Sequence, residues 1–83
     1  MEKSVANISI APELWASSIF PEGILEKWLA QNGTVVKAGA PVASVRIEDA
    51  LHELIAPTGG RLTADMMAGS VVDPGTIIGR IVS

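Results

Sequence analysis

The stretch GTVVKAGAPVASV, Gly33 to Val45, returns as GSVVDPGTIIGRI, Gly69 to Ile81, and the two align without a gap. Gly33, Val35, Val36 and Gly39 recur identically as Gly69, Val71, Val72 and Gly75, while Val42 and Val45 become Ile78 and Ile81. Upstream, after a one-residue adjustment, Gly23-Ile24-Leu25 matches Gly60-Arg61-Leu62. Such self-similarity marks one structural unit used twice. A lone hairpin is at best marginally stable, so the two units are expected to pack face to face around a shared core. The matched glycines suit tight turns that need positive φ.

The rest of the chain agrees with many short strands. Eight Gly and five Pro punctuate it at close intervals, and β-branched apolar runs lie between them. That spacing predicts an all-β sandwich or barrel. One segment conflicts with this. EGILEKWLAQNG places Ile24, Leu25, Trp28 and Leu29 at helical spacing and closes on Asn32-Gly33, a plausible helix stop. Taken alone, Glu22 to Gln31 reads as a helix. The repeat leaves no room for a helix on one side only, so the segment is assigned as strand.

Composition bounds the function. With 83 residues the chain is long enough for one small domain, residues 1–83, and its ends read as those of a complete, free-standing product. Cysteine is absent, which removes disulfides, thiolate nucleophiles and thiolate metal sites together. The apolar fraction is 48%, yet the only aromatics are Trp15, Phe20 and Trp28, so the core must be mainly aliphatic. Net charge is −3 and the six Lys and Arg are scattered, which argues against a nucleic-acid surface. Neither a signal-peptide pattern nor an apolar run of membrane-spanning length occurs, so a cytoplasmic location without membrane contact is expected.

In order and spacing, several elements together resemble the lipoyl domains of 2-oxo-acid dehydrogenase acyltransferases. They are Pro12-x-Leu14, Glu22-Gly23 followed by Trp28, and Gly33-x-Val35-x-x-Gly39. The series continues with Pro41-Val42-Ala43-Ser44-Val45, then Ala56-Pro57 before Gly60, and Gly69-x-Val71-x-x-Gly75. The likeness runs roughly from Ile8 to Ile81. Biotinyl domains share that fold, but the Glu-Gly…Trp element is more similar to the lipoyl branch. The resemblance implies a flattened barrel-sandwich hybrid of two four-stranded sheets related by a quasi-two-fold axis. It also implies a tight hairpin between the halves carrying Asp-Lys-Ala, whose lysine ε-amine is joined to lipoate.

Here that tripeptide aligns with Glu48-Asp49-Ala50, and Asp49 takes the attachment position. Val45 anchors the register before it, and Glu53 with Ala56-Pro57 anchors it after. No lysine follows Lys37, so none can be shifted into place. The attachment chemistry needs an amine nucleophile. A carboxylate, ionised at neutral pH, cannot form a stable amide with an activated lipoyl or biotinyl group. Neither lipoate nor biotin is therefore expected as a cofactor, and no metal site is expected.

Partner-recognition candidates are Glu48 and Asp49 at the tip, with Trp15 and Phe20 in the loop from Leu14 to Glu22. In the family that loop flanks the modification hairpin and contributes to recognition. Exposed aromatics there would suit a protein interface; alternatively they fold back as a lid over one end of the barrel. Lys37 reads as a solvated turn residue, because its repeat counterpart is Asp73. His52 alternates with Ala50, Leu54 and Ala56, which predicts a partly buried, hydrogen-bonded histidine on an inward face. Trp28, Met66 and Met67 are expected in the core. Two adjacent tip carboxylates beside a single histidine are a weak signal for acid–base catalysis. The glycines fall at turns between strands and form no phosphate-cradling loop.

The expected function is a non-catalytic, lipoyl-like accessory or protein-interaction module of an acyltransferase/dehydrogenase-type complex. The alternative is a free-standing lipoyl or biotinyl carrier component of a 2-oxo-acid dehydrogenase or carboxylase-type system.

Overall fold

The computed structural model describes residues 4–15, 19 and 22–83. Among the described residues eight strands run in order: β1 (Val5–Ser9), β2 (Gly23–Trp28), β3 (Val35–Val36), β4 (Pro41–Ile47), β5 (Ala50–Ile55), β6 (Gly60–Ala64), β7 (Val71–Val72) and β8 (Ile77–Val82). One 3₁₀ turn, Pro12–Trp15, follows β1. The strands form two four-stranded antiparallel sheets, ordered β1-β8-β6-β3 and β5-β4-β2-β7. The protein is thus an all-β sandwich. Among the described residues no helix is long and apolar enough to cross a membrane.

The internal repeat is written into this topology. Adding four to each strand number, counted cyclically, converts one sheet order into the other. Turn hydrogen bonds obey the same relation. The Gly33 and Gly69 amides donate to Leu62 O and Leu25 O at 2.7 Å each, so each half closes its first turn on the other half. The Leu25 and Leu62 amides donate to Ser70 O and Thr34 O, both at 2.8 Å. Gly39 and Gly75 donate to Ala56 O and Ile10 O, again both at 2.8 Å. Gly33, Gly39, Gly69 and Gly75 have φ of 89°, 86°, 94° and 85°, as turn glycines free of Cβ clashes permit. Because these bonds cross between halves, neither half is complete without its counterpart.

The core follows from strand alternation. Leu25, Val45, Leu62, Val72, Ile78 and Ile81 are fully buried between the sheets, with Ile8, Ile10, Val42, Ala43, Ile47, Leu54 and Ala56 around them. The pairs that the repeat matches, Leu25 with Leu62, Val42 with Ile78 and Val45 with Ile81, are all among them, whereas the pair Val35 and Val71 is exposed.

The helix-like segment is strand β2, and its misleading period has a structural cause. The β2–β4 register shifts between Leu25 and Lys27, so Glu26 is an extra, bulged residue. After a bulge the inward face resumes one residue late. Leu25 and Trp28, three apart, therefore both face the core, while Ile24 points to solvent. The equivalent pairing of β6 with β8 runs without a shift through Leu62, Thr63 and Ala64. The bulge at Glu26 is thus the one-residue adjustment that the repeat alignment required.

Position by position, Trp28 is the counterpart of Ala64, and Ala43 of Gly79. The Trp28 indole packs against the core and its Nε1 donates to Met66 O at 2.9 Å. Met66 packs there too. Met67 does not: it is 81% exposed, contrary to the expectation of a core methionine pair, because it sits in a turn that directs it outward.

Candidate functional site

The position of interest is the turn joining the two halves. Ile47 and Ala50 pair as the last residues of β4 and β5, leaving Glu48-Asp49 as a two-residue tip. Such loops favour residues with positive φ. Glu48 supplies it, with φ of 53°, and is the only non-glycine among the described residues that does so. Both tip side chains and Ala50 are exposed. The register places Asp49 at the extremity of the hairpin, with no side chain in the tip able to act as an amine nucleophile.

A glutamate in the left-handed region costs roughly 1 kcal/mol, whereas asparagine tolerates it better. Glu48→Asn is accordingly expected to stabilise the fold by about 0.5 kcal/mol and to raise the melting temperature by about 3 °C. Urea unfolding of the two proteins checks this; equal or lower stability of the variant would contradict the left-handed geometry at Glu48.

Beneath the tip the packing is tight. A Cβ on Gly23 would lie 3.0 Å from Arg46 O, 3.1 Å from Ile47 Cγ1 and 3.4 Å from Trp15 Cζ2. Trp15 therefore lies under the base of the hairpin, and it is only 7% exposed. Of the two expectations for Trp15, an exposed aromatic contact and a fold-back position, its burial in the core cluster rules out the first, and the apolar area of its indole favours the inward side. Its Nε1 is buried and makes no hydrogen bond with a described residue. Phe20 lies outside the described residues.

His52 pairs with Val45 on the inward face of β5 and is partly buried, as its alternation predicts. It makes no hydrogen bond with another described residue, so the expected partner is not found among them. Lys37 is exposed in the β3–β4 turn. No cluster of three or more His, Asp or Glu able to hold a metal occurs among the described residues.

Beside the tip runs a groove of about 280 Å³ lined by Glu22, Gly23, Ile24, Arg46, Glu48 and Val71. Arg46, Ile24 and Val71 of this lining belong to a row of outward side chains, one per strand, that the register continues to Leu51. Arg46 is tied to Glu26 at 3.2 Å. This row is not evident from the sequence, because the helical period of Glu22 to Gln31 puts Ile24 with the core. Placing the bulge at Glu26 would have exposed it.

The chain matches no model of a known protein family, and no curated protein matches it.

Proposed function

We propose that this protein is a lipoyl-type domain without its swinging arm, a barrel-sandwich hybrid that serves as an accessory protein-interaction subunit of an acyltransferase/dehydrogenase-type complex. One observation carries the reading. The residue that the resemblance aligns with the lipoyl-lysine, Asp49, is the exposed second residue of a two-residue hairpin joining two matched halves. That is the place a swinging arm needs, occupied by a group that cannot hold one. Two strand quartets interchanged by a four-strand shift, with cross-bonded turns, support the same reading.

The chemistry sets the boundary. Ligation of lipoate or biotin transfers an acyl group from an activated carbonyl to a neutral amine, and the product amide survives in water. A carboxylate in that position would give an anhydride, which hydrolyses. What remains for the tip is recognition: two adjacent exposed carboxylates, unpaired among the described residues, at the end of a hairpin. Acidic rims of this kind chiefly raise association rates and select partners by charge.

Intact-mass measurement on protein purified from its native host tests the proposal. The expected mass is that of the unmodified chain. An increase matching a lipoyl or biotinyl group would overturn it in favour of a carrier that loads another residue.

A further inference from the structure

The repeat gives the protein two equivalent grooves, one on the outer face of each sheet. Across the β5-β4-β2-β7 sheet lies the row Leu51, Arg46, Ile24, Val71. Across the β1-β8-β6-β3 sheet lies the corresponding row Val5, Val82, Arg61, Val35. Gly23 and Gly60, Ile24 and Arg61, Arg46 and Val82, Val71 and Val35 are counterparts lining the two grooves, of about 280 and 350 Å³. Apart from the half-buried Val82, all these row side chains are exposed. Each face therefore offers three aliphatic groups and one guanidinium.

The grooves differ in charge. In the first, Arg46 is engaged by Glu26, which leaves Glu22 and Glu48 on the rim without a cationic partner among the described residues. In the second, the Arg61 guanidinium donates to Gly33 O and has no carboxylate within ion-pair reach among the described residues. Among the described residues the first groove thus has two carboxylates beyond its ion pair, and the second has one guanidinium, Arg61, beside Ser83. In both rows the side chains repeat at the inter-strand spacing of about 4.8 Å, so one row can lie along the other in register.

We propose that the two faces bind each other between copies of this chain, with the Arg61 row of one molecule stacked on the Ile24 row of the next. Arg61 of one copy then sits over Ile24 in the groove that Glu22 and Glu48 also line, where Arg46 is already paired with Glu26, and the aliphatic groups of both rows leave water together. The inference rests on strand register and charge alone and is independent of the lipoyl reading. The contact joins two different surfaces, so it is heterologous and propagates from copy to copy instead of closing as a symmetric dimer.

Sedimentation equilibrium on the purified chain tests this. At about 1 mM protein and low ionic strength the weight-average mass is expected to rise about 1.5-fold above the monomer, and to fall back in about 0.5 M salt as the charges are screened. Arg61→Glu alone, and Glu22→Arg with Glu48→Arg, should each remain monomeric, because each makes both faces like-charged. An equal mixture of the two variants should associate again, since every cross-contact is then complementary. Thermal melts establish that the variants are folded. If either variant does not fold, concentration-dependent amide shifts in the wild type, expected at Ile24, Val71, Val35 and Val82 together, decide the matter. A wild type that stays monomeric, an Arg61→Glu variant that associates like wild type, or folded variants whose mixture stays monomeric would each overturn the proposal.

Discussion

Gly79→Ala is expected to cost about 3 kcal/mol and to lower the melting temperature by roughly 15 °C, although it adds a single methyl group. Gly79 lies in β8, which is paired on one side with β1 and on the other with β6. A Cβ there would sit 2.5 Å from Thr63 O, 3.1 Å from Trp28 Cη2 and 3.5 Å from Ala64 Cα. The carbonyl belongs to the neighbouring strand and is fixed by the ladder, so relief requires β6 and β8 to separate. The indole is held through its bond to Met66 O. The repeat explains the crowding: where the other half has Ala43 opposite Trp28, this half has Gly79 opposite Ala64, and the large ring reaches across to it.

The turn glycines provide the contrast. At Gly33, Gly39, Gly69 and Gly75 an added Cβ meets nothing within 4 Å, so alanine brings only left-handed strain of about 1 kcal/mol. Gly60 belongs with Gly79, since its Cβ would lie 2.6 Å from Val82 O. Parallel thermal melts of Gly79→Ala and Gly39→Ala would decide this. If the two melt within a degree or two of each other, the packing of Trp28 over β8 is wrong. Trp28→Leu combined with Gly79→Ala should recover only a minor part of the loss, because the Thr63 carbonyl remains.

These contacts show which parts of the molecule were readable in advance. The matched Gly-x-Val-Val-x-x-Gly segments foretold the turns and the buried pairs Val42–Ile78 and Val45–Ile81, because these depend on local φ and on period-two burial. That each half divides its strands between both sheets was not legible there. The bulge at Glu26 was present only as an alignment offset, and without a structure it looked like helical periodicity. Trp15 was ambiguous because it lies in a 3₁₀ turn after β1, where no repeat partner or alternation states which way an indole turns. The exposed rows were hidden for a different reason. An aliphatic side chain on the outer face of a strand has the same composition signature as one on the inner face, and register alone separates them. At the hairpin the position of Asp49 was readable, since Val45 and Ala56 bracket it; the left-handed backbone at Glu48 was not, because glutamate carries no preference for it.

Asp49→Lys is expected to change the protein from inert to fully modifiable by a lipoate ligase. A ligase of this kind must find an amine on an exposed, rigid turn and read the protein surface around it. The hairpin supplies the geometry: Ile47 and Ala50 close it, the tip side chains are exposed, and Gly23, Ile47 and Trp15 pack its base. Asp49 is exposed and makes no hydrogen bond or ion pair with a described residue, so its replacement by lysine should change stability by less than about 0.5 kcal/mol. Lys37 is the internal control. It too is an exposed lysine in a turn of this fold, yet it lies in the β3–β4 turn and should stay unmodified in both proteins. Incubation with lipoate, ATP and a ligase, followed by peptide mass mapping, reads the outcome. Modification confined to position 49 would mean that one carboxylate separates this chain from a working carrier, and that the recognition surface is otherwise intact. If a folded Asp49→Lys variant is ignored by lipoate and biotin ligases alike, the lipoyl reading fails, although the sandwich and its two opposed grooves would stand. If Lys37 is modified as readily, turn exposure alone governs the reaction, and the hairpin between the halves has no special standing.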